Sequence, residues 1–282
     1  MAVVTAGAGE DRAVDAPLVV RERLEAFGVE VLSDAMNRPD AMNRPVQVRN
    51  GALYLRALLE QGARKSLEPL VERLGEDADY QSMQQFLADS PWDPALVVRA
   101  TAERVAPVID VAAWVLDDTG FPKDGKDSPG VKRQYSGTLG KTGNCQIGVS
   151  VHAVGSKGTV ALGWALYLPE EWCEDAARRR KAKIPQEVTF KTKPELAADL
   201  VERAAGWEIA KAPVLGDCAY GKNTELRERL DAAELEYVLS VSEEVSVFAG
   251  ETVFEVPAPR KAERAGRRPA RDRTASPSRS AI

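Results

Sequence analysis

Histidine and cysteine are scarce in this chain of 282 residues, which contains one histidine and three cysteines. Cys145, Cys173 and Cys218 lie far apart, without a CxxC spacing and without a histidine paired to them. This pattern argues against a zinc site and a disulfide framework, and it suits a reducing cytosol. The lone His152 alternates with apolar residues, which is more typical of an ordinary strand residue than of a metal ligand or base.

Long apolar runs are also missing from the sequence. No stretch approaches the length of a membrane-spanning helix, and the N-terminus, rich in alanine, glycine and acidic residues, lacks the apolar core of a signal peptide. The hydrophobic fraction of 44% still provides enough material for one large domain or two modest ones. We therefore expect a soluble intracellular protein.

Charge is distributed unevenly along the chain, whose net charge is −5. From Pro257 to Ile282, eight Arg and Lys residues face two acidic ones, so this segment carries +6 and the rest carries −11. We expect residues 246–282 to form a disordered basic tail, which either adds sequence-independent affinity for nucleic acid or has no role. Residues 1–15, small and polar, are expected to be disordered as well.

The segment 16–110 has helical periodicity and predicts five helices. Gly75 ends the third helix, and Asp93 followed by Pro94 opens the fifth as N-cap and first-turn proline. The third and fourth helices are short and closely joined, with the spacing of a helix-turn-helix. The segment therefore predicts either a DNA-binding domain or a plain helical bundle. In a DNA-binding domain, the side chains facing phosphates or base edges are Arg64, Lys65, Gln81, Gln84 and Gln85.

The segment 111–245 changes to strand periodicity and predicts the order β-β-β-α-β-α-β. The strands are expected at 113–118, 146–154, 159–168, 212–217 and 236–241, with helices at 194–206 and 224–233. This is the element order of the ribonuclease H-like fold, in which strands one and four are neighbours. The sequence thus predicts an α+β protein, in which a helical N-terminal domain of DNA-binding type precedes an incomplete ribonuclease H-like α/β catalytic core.

Acidic residues stand at the ends of the first and fourth predicted strands. Asp117 and Asp118 follow an apolar strand, and Asp217 follows another about a hundred residues later. Carboxylates at the ends of adjacent strands form oxygen-ligand sites for Mg²⁺ or Mn²⁺, and two such ions about 4 Å apart can clamp a phosphoryl displacement. The alternative is that Asp117 and Asp118 only cap a turn between strand and loop.

Basic and polar residues surround the second predicted strand. A Gly-rich hairpin of this composition beside the acidic residues can hold a DNA backbone, or it can simply be solvated. The residues concerned are Lys132, Arg133, Tyr135, Lys141 and Asn144.

Over about residues 50–242 the chain resembles the DDE transposases of bacterial insertion sequences, specifically the insertion sequence 701 family. The resemblance is carried by the runs "LYLRALLEQGARKSLEPLVERLG", "WVLDDTGFPKDGK", "GVKRQYSGTLGKTGNCQIGVSVHAV" and "GDCAYGKNTELRERL". It implies a ribonuclease H-like core, Mg²⁺ or Mn²⁺, and cleavage and joining of double-stranded DNA at transposon ends in a bacterial cytoplasm, near the nucleoid. By its Asp-Thr pattern, Asp118 corresponds to the first catalytic carboxylate, with Asp117 as the alternative, and Asp217 to the second. A homodimer is compatible with this resemblance.

The family's third acid is a glutamate on a late helix, and the sequence after Val241 shows no helix to carry it. Glu243 and Glu244 follow the strand directly and are poor substitutes. We therefore expect a transposase cut short at its C-terminus and inactive. The alternatives are a non-catalytic DNA-binding remnant that inhibits transposition and an inert product.

Overall fold

A computed structural model of the chain describes residues 16–36, 45–60, 64–90, 93–243 and 245. Helices fill the first part and a mixed sheet with its helices fills the second. The helices of the first part are α1 (Ala16–Met36), α2 (Pro45–Leu59), α3 (Leu67–Leu74), α4 (Tyr80–Asp89) and α5 (Pro94–Ile109). The tail 246–282 and residues 1–15 lie outside the described residues, as does Glu244. In the described part, no helix is long and apolar enough to cross a membrane.

Local sequence signals set the ends of these helices. Gly75 follows α3 with a φ of 60°, and its N–H donates to the last carbonyls of the helix. Asp93 caps α5 by accepting a hydrogen bond from the N–H of Ala95 (2.9 Å). Both boundaries agree with the sequence-based expectation.

The second part begins immediately after α5. Its strands are β1 (Val111–Pro122), β2 (Lys132–Ser136), β3 (Lys141–Gly155), β4 (Gly158–Tyr167), β5 (Val214–Gly216) and β6 (Tyr237–Leu239). Its helices are α6 (Glu170–Glu174), α7 (Ala176–Lys181), α8 (Lys193–Ala205), α9 (Cys218–Gly221) and α10 (Thr224–Ala232). The seven-element prediction therefore omitted the short strand β2 and the small helices α6, α7 and α9.

The sheet has the order β2-β3-β1-β5-β6, and β4 pairs with β3 beside β2. β1 runs antiparallel to β3 and parallel to β5, and β5 runs parallel to β6. The first and fourth predicted strands correspond to β1 and β5, so they are neighbours in space. The strands that carry the acidic residues therefore lie side by side.

The two faces of the sheet differ in what covers them. The helix face carries Trp114, Leu116, Val149 and Val151, which form one core with buried residues of α5, α8 and α10. The open face carries the alternate residues, and within the described part of the chain no helix forms a core on it. Large apolar side chains are consequently exposed there, including Phe121 (43%), Trp164 (43%), Leu166 (45%) and Val238 (68%).

Candidate metal site on two adjacent strands

Asp117 and Asp118 lie on opposite faces of the sheet, because successive side chains of a strand alternate. Asp118 pairs with the buried Val149 and forms an ion pair with Lys193 of α8, which places it on the helix face. Asp117 pairs with Ser150, is exposed, and its charge acts on His152 of the open face. The two neighbouring carboxylates therefore have different surroundings.

Asp217 follows β5 directly, and the register of β5 relates it to Asp117. Trp114 is level with Val214 and Val115 with Leu215. A Cβ on Gly216 would lie 3.6 Å from Leu116 Cδ1, so Gly216 belongs to the helix face. The next residue, Asp217, is exposed and has an extended backbone, and it lies just beyond β5 as the N-cap of α9.

One oxygen of each of these two carboxylates is held by a backbone N–H. The N–H of Asp118 donates to Asp117 Oδ1 (2.7 Å), and the N–H of Ala219 donates to Asp217 Oδ1 (2.9 Å). Among the described residues, Oδ2 of each accepts no hydrogen bond. Each carboxylate is thus oriented through one oxygen and keeps the other accessible.

The helix face contains two polar residues near Asp118 that the sequence reading did not single out. Lys193, the first residue of α8, forms the ion pair with Asp118. Tyr220 of α9 is 1% exposed, and its hydroxyl has no hydrogen-bond partner among the described residues. Burial, followed by the charges of Asp118, Asp217 and Asp117, raises the pKa of Tyr220. The sequence offered one signal for each residue. Lys193 directly precedes a predicted helix, and Tyr220 lies three residues after Asp217.

The lone histidine also lies at this site. His152 is half-buried on the open face, and its ring meets the Trp164 ring edge-on at 5.5 Å between centroids. Burial lowers the pKa of His152, and the charge of Asp117 opposes this only in part. His152 therefore favours the neutral form.

The predicted basic hairpin is formed by β2 and β3 at one end of the sheet. Arg133 and Lys141 are exposed, whereas Lys132 pairs with Glu171 (3.0 Å). Beside the hairpin is a cleft of about 540 Å³, whose lining includes Lys126, Lys132, Arg133, Asn144 and Arg178. Asn144 shapes its rim by donating to the carbonyls of Lys123 (2.7 Å) and Gly125 (2.9 Å). The cleft is also lined by Asp124 and Glu171, so four basic residues there outnumber two acidic ones.

The other predicted DNA contacts lie on the helical part. Gln81, Gln84 and Gln85 are exposed on α4, and Arg64 is exposed before α3. Lys65 is engaged, since its ammonium donates to the carbonyls of Leu58 and Glu60 (both 2.7 Å) at the C-terminal end of α2. Segment 64–89 also contains six acidic residues against three basic ones. This surface is therefore less favourable for phosphate than the hairpin.

The donor set of Asp117, within β1, and Asp217, directly after β5, fits a hard divalent cation. Mg²⁺ binds through one or two carboxylates while keeping several waters, and two exposed carboxylates on adjacent strands meet that requirement. In the described part of the chain, no group of three or more His, Cys, Asp or Glu residues could hold a metal ion. Glu243 is exposed beyond β6. The residues fit one weakly held ion.

Comparison with known proteins is consistent with these acidic strand ends. A family model described as "DDE superfamily endonuclease" matches residues 39–281, so the chain belongs to the DDE superfamily of endonucleases. It is 30% identical over 181 residues to the "Probable transposase for insertion sequence element IS701" of Microchaete diplosiphon. That match covers 63% of this chain and 44% of the relative, so the chain spans less than half of the relative's length. The expected resemblance is thereby confirmed.

Proposed function

We propose that the chain acts in DNA transposition, through metal-dependent cleavage and transfer of DNA strands at insertion-sequence ends. The observation that supports this proposal is that β1, which contains Asp117, and β5, which Asp217 follows, are adjacent and parallel. From strand alternation we infer that both carboxylates face the open side of the sheet. In a DDE endonuclease, that arrangement is expected of a ribonuclease H-like sheet, and the strand order supports the same assignment. DDE endonucleases generally use divalent metal ions, and we propose Mg²⁺ or Mn²⁺ here.

Within this site, we assign metal binding to Asp117 and Asp217, with Asp118 in a supporting position. Asp117 and Asp217 are exposed, and each has a carboxylate oxygen without a partner among the described residues. Asp118 faces the helix-covered core and its charge is already neutralised by Lys193. A cation at Asp118 would have to compete with that ammonium.

The chemistry of the site follows from this assignment. When bound, the ion supplies positive charge for the nucleophile and for the phosphate oxygens of the scissile strand. The residues Asp117 and Asp217 would hold it, and the backbone N–H groups of Asp118 and Ala219 would keep both carboxylates oriented. The open face leaves room for DNA beside them.

The DNA backbone is proposed to lie against the hairpin and its cleft. Segment 123–143 contains five basic residues and two acidic ones, in contrast with the acidic surroundings of α4. Arg133, Lys141 and Lys126 have no ion-pair partner among the described residues, so they are available for phosphates. We expect binding to weaken steeply with salt for that reason.

A Mn²⁺ titration by calorimetry tests the metal site. We expect weak, saturable binding that Asp117→Asn or Asp217→Asn abolishes, because each change removes half of the carboxylate set. Asp231→Asn, an exposed aspartate on α10, is the matched control and should leave the affinity unchanged. Binding that persists in Asp117→Asn and Asp217→Asn would remove these residues from the site.

A second candidate function is a DNA-binding protein that occupies transposon ends without cutting them. It is favoured by the lack of a third metal-binding acid among the described residues, because a second ion then has no dedicated ligand. A mobility-shift assay and a nicking assay with Mn²⁺ on the same end fragment separate the two. Binding at low salt without nicking is the result that this second candidate predicts. Metal-dependent nicking that Asp117→Ala abolishes would instead establish the catalytic function.

A further inference from the structure

A polar cluster lies on the helix face directly behind the metal site. It consists of Asp118, Lys193 and Tyr220, which come from β1, α8 and α9. The surrounding side chains are apolar and buried, including Leu116, Val149 and Leu200. Asp118 and Lys193 are paired with each other and partly exposed, whereas the buried Tyr220 hydroxyl has no partner among the described residues and is the costly member of the cluster.

Two members of the cluster, Asp118 and Tyr220, stand at or next to a backbone N–H that orients a proposed metal-binding carboxylate, and Lys193 is paired with Asp118. The N–H that holds Asp117 Oδ1 belongs to Asp118 itself. The N–H that holds Asp217 Oδ1 belongs to Ala219, the residue before Tyr220 in α9. Fixing Asp118 and Tyr220 on the helix face therefore fixes both donors.

The anchoring of each residue is visible in its contacts. Lys193 is held in place as the first residue of α8, whose start is closed by reciprocal hydrogen bonds between Thr192 and Glu195. Tyr220 packs against β5, since a Cβ on Gly216 would lie 3.4 Å from Tyr220 Cβ. Its buried hydroxyl faces the charge of Asp118 more strongly than that of any other residue. A buried hydroxyl without a partner in the described part of the chain needs an explanation, and a role at the neighbouring metal site is the one that we pursue.

We propose that Lys193 and Tyr220 are positioning residues of the metal site, which act through Asp118 and α9 to orient the carboxylates of Asp117 and Asp217. This inference rests on the proposed function, because it requires an ion at Asp117 and Asp217. Groups that orient metal ligands from behind typically change metal affinity by 10- to 100-fold when they are removed.

The test is Mn²⁺ affinity measured beside thermal stability in the absence of metal. We expect Tyr220→Phe to weaken Mn²⁺ binding about 10-fold. Its melting temperature should be unchanged or higher, because the substitution removes an unpartnered buried hydroxyl. A residue with only a packing role would leave the affinity unchanged. Tyr237→Phe, on β6 of the same sheet, is the matched control and should alter neither quantity.

For Lys193, the informative set is Lys193→Met, Lys193→Arg and the double variant Asp118→Asn with Lys193→Met. We expect Lys193→Met to weaken Mn²⁺ binding about 10-fold and Lys193→Arg to restore most of it. The double variant removes the unpaired charge and should recover stability without recovering affinity. Lys191→Met is the control, since Lys191 forms a similar ion pair with Asp199 (2.6 Å) away from the site.

The outcomes separate this inference from the proposed function. If Asp217→Asn abolishes Mn²⁺ binding while Tyr220→Phe and Lys193→Met bind as the unmodified chain does, the positioning role is overturned and the metal site stands. If the unmodified chain shows no saturable Mn²⁺ binding, both are overturned. Affinity lost only in proportion to melting temperature would also contradict the positioning role.

Discussion

At the scale of single residues, the contrast between Asp117 and Asp118 shows how the backbone assigns roles to identical side chains. One carboxylate is exposed and held by a peptide N–H, and the other is neutralised by Lys193 against the core. The chemical difference comes entirely from strand alternation. Exchanging their roles would require a one-residue shift in the register of β1, which would also expose Trp114 and Leu116.

The effect of His152 on stability can be tested by varying the pH. Burial lowers the pKa of His152 below its ordinary value of 6.5, so the unfolded chain binds more protons than the folded one at mildly acidic pH. The free energy of unfolding should therefore fall as the pH drops from 7 toward 5. Chemical denaturation across this range should show a shallower slope for His152→Gln.

The composition of the chain makes this pH dependence specific to His152. His152 is the one histidine of the chain, so no other imidazole titrates in the window. Carboxylates with lowered pKa values, such as Glu195 and Asp199, lose their contribution to the free energy of unfolding only at lower pH. There the unmodified chain and His152→Gln should lose stability alike. Equal slopes in the two proteins between pH 5 and 7 would contradict the assignment.

At the scale of elements, Arg56 joins three helical segments. Its side chain is 3% exposed and contacts Glu25 of α1 and Asp77 of the turn after α3, each at 2.7 Å. We expect Arg56→Met to lower the free energy of unfolding by about 1–3 kcal/mol. This loss of stability is smaller than the loss expected for a fully buried ion pair, because Glu25 and Asp77 can be hydrated again once Arg56 is replaced. Urea unfolding measures the change.

Arg49 provides the control for that experiment. It is an exposed residue of the same helix whose guanidinium donates to the carbonyl of Asp77 (2.9 Å). Arg49→Met should change the free energy of unfolding by no more than about 0.5 kcal/mol. If the two variants lose equal stability, burial of Arg56 is not the cause.

Element ends were predictable from sequence wherever a residue has a strong local preference. Gly75 and Asp93 mark the end of α3 and the start of α5, as their backbone and capping chemistry dictates. The strand β2 was not predicted, because Lys132–Ser136 is polar on both faces and owes its conformation to pairing with β3. Long-range pairing of this kind leaves no local signal.

The candidate site was predictable only in part, because some of its features are local in the sequence and others depend on contacts across the fold. The acidic residues were identifiable because they interrupt apolar strands, and the adjacency of β1 and β5 followed from element order. Which of Asp117 and Asp118 faces the open side was not decidable, since the apolar residues before them run continuously from Ala112 to Leu116. Tyr220 and Lys193 matter only through contacts across the fold, which the sequence does not display.

At the scale of the whole molecule, the open face is the largest departure from a closed core. Phe121, Trp164, Leu166 and Val238 are all exposed on it. Exposed apolar patches of this kind bind apolar dyes and promote association. We expect the chain to bind anilinonaphthalene sulfonate and to associate as its concentration rises, as measured by fluorescence and sedimentation.

A double substitution localises this effect. Trp164→Ser with Leu166→Gln should reduce both dye binding and association, because it removes two neighbouring apolar side chains of β4. Val108→Gln changes a more exposed residue of α5 (64%) outside the sheet and should have little effect. Dye binding that is unchanged by the double substitution would place the apolar patch elsewhere.

The parallel pairing of β1 with β5 also governs when the site can exist. Asp117 and Asp217 are one hundred residues apart in the chain, whereas β1 meets β3 across a far shorter loop. Closing the longer loop costs more entropy and comes later in folding. If the proposed site binds a cation, a nascent or refolding chain gains that affinity only after β5 has joined β1. Mn²⁺ binding, followed in time, would report the completion of the sheet rather than its beginning.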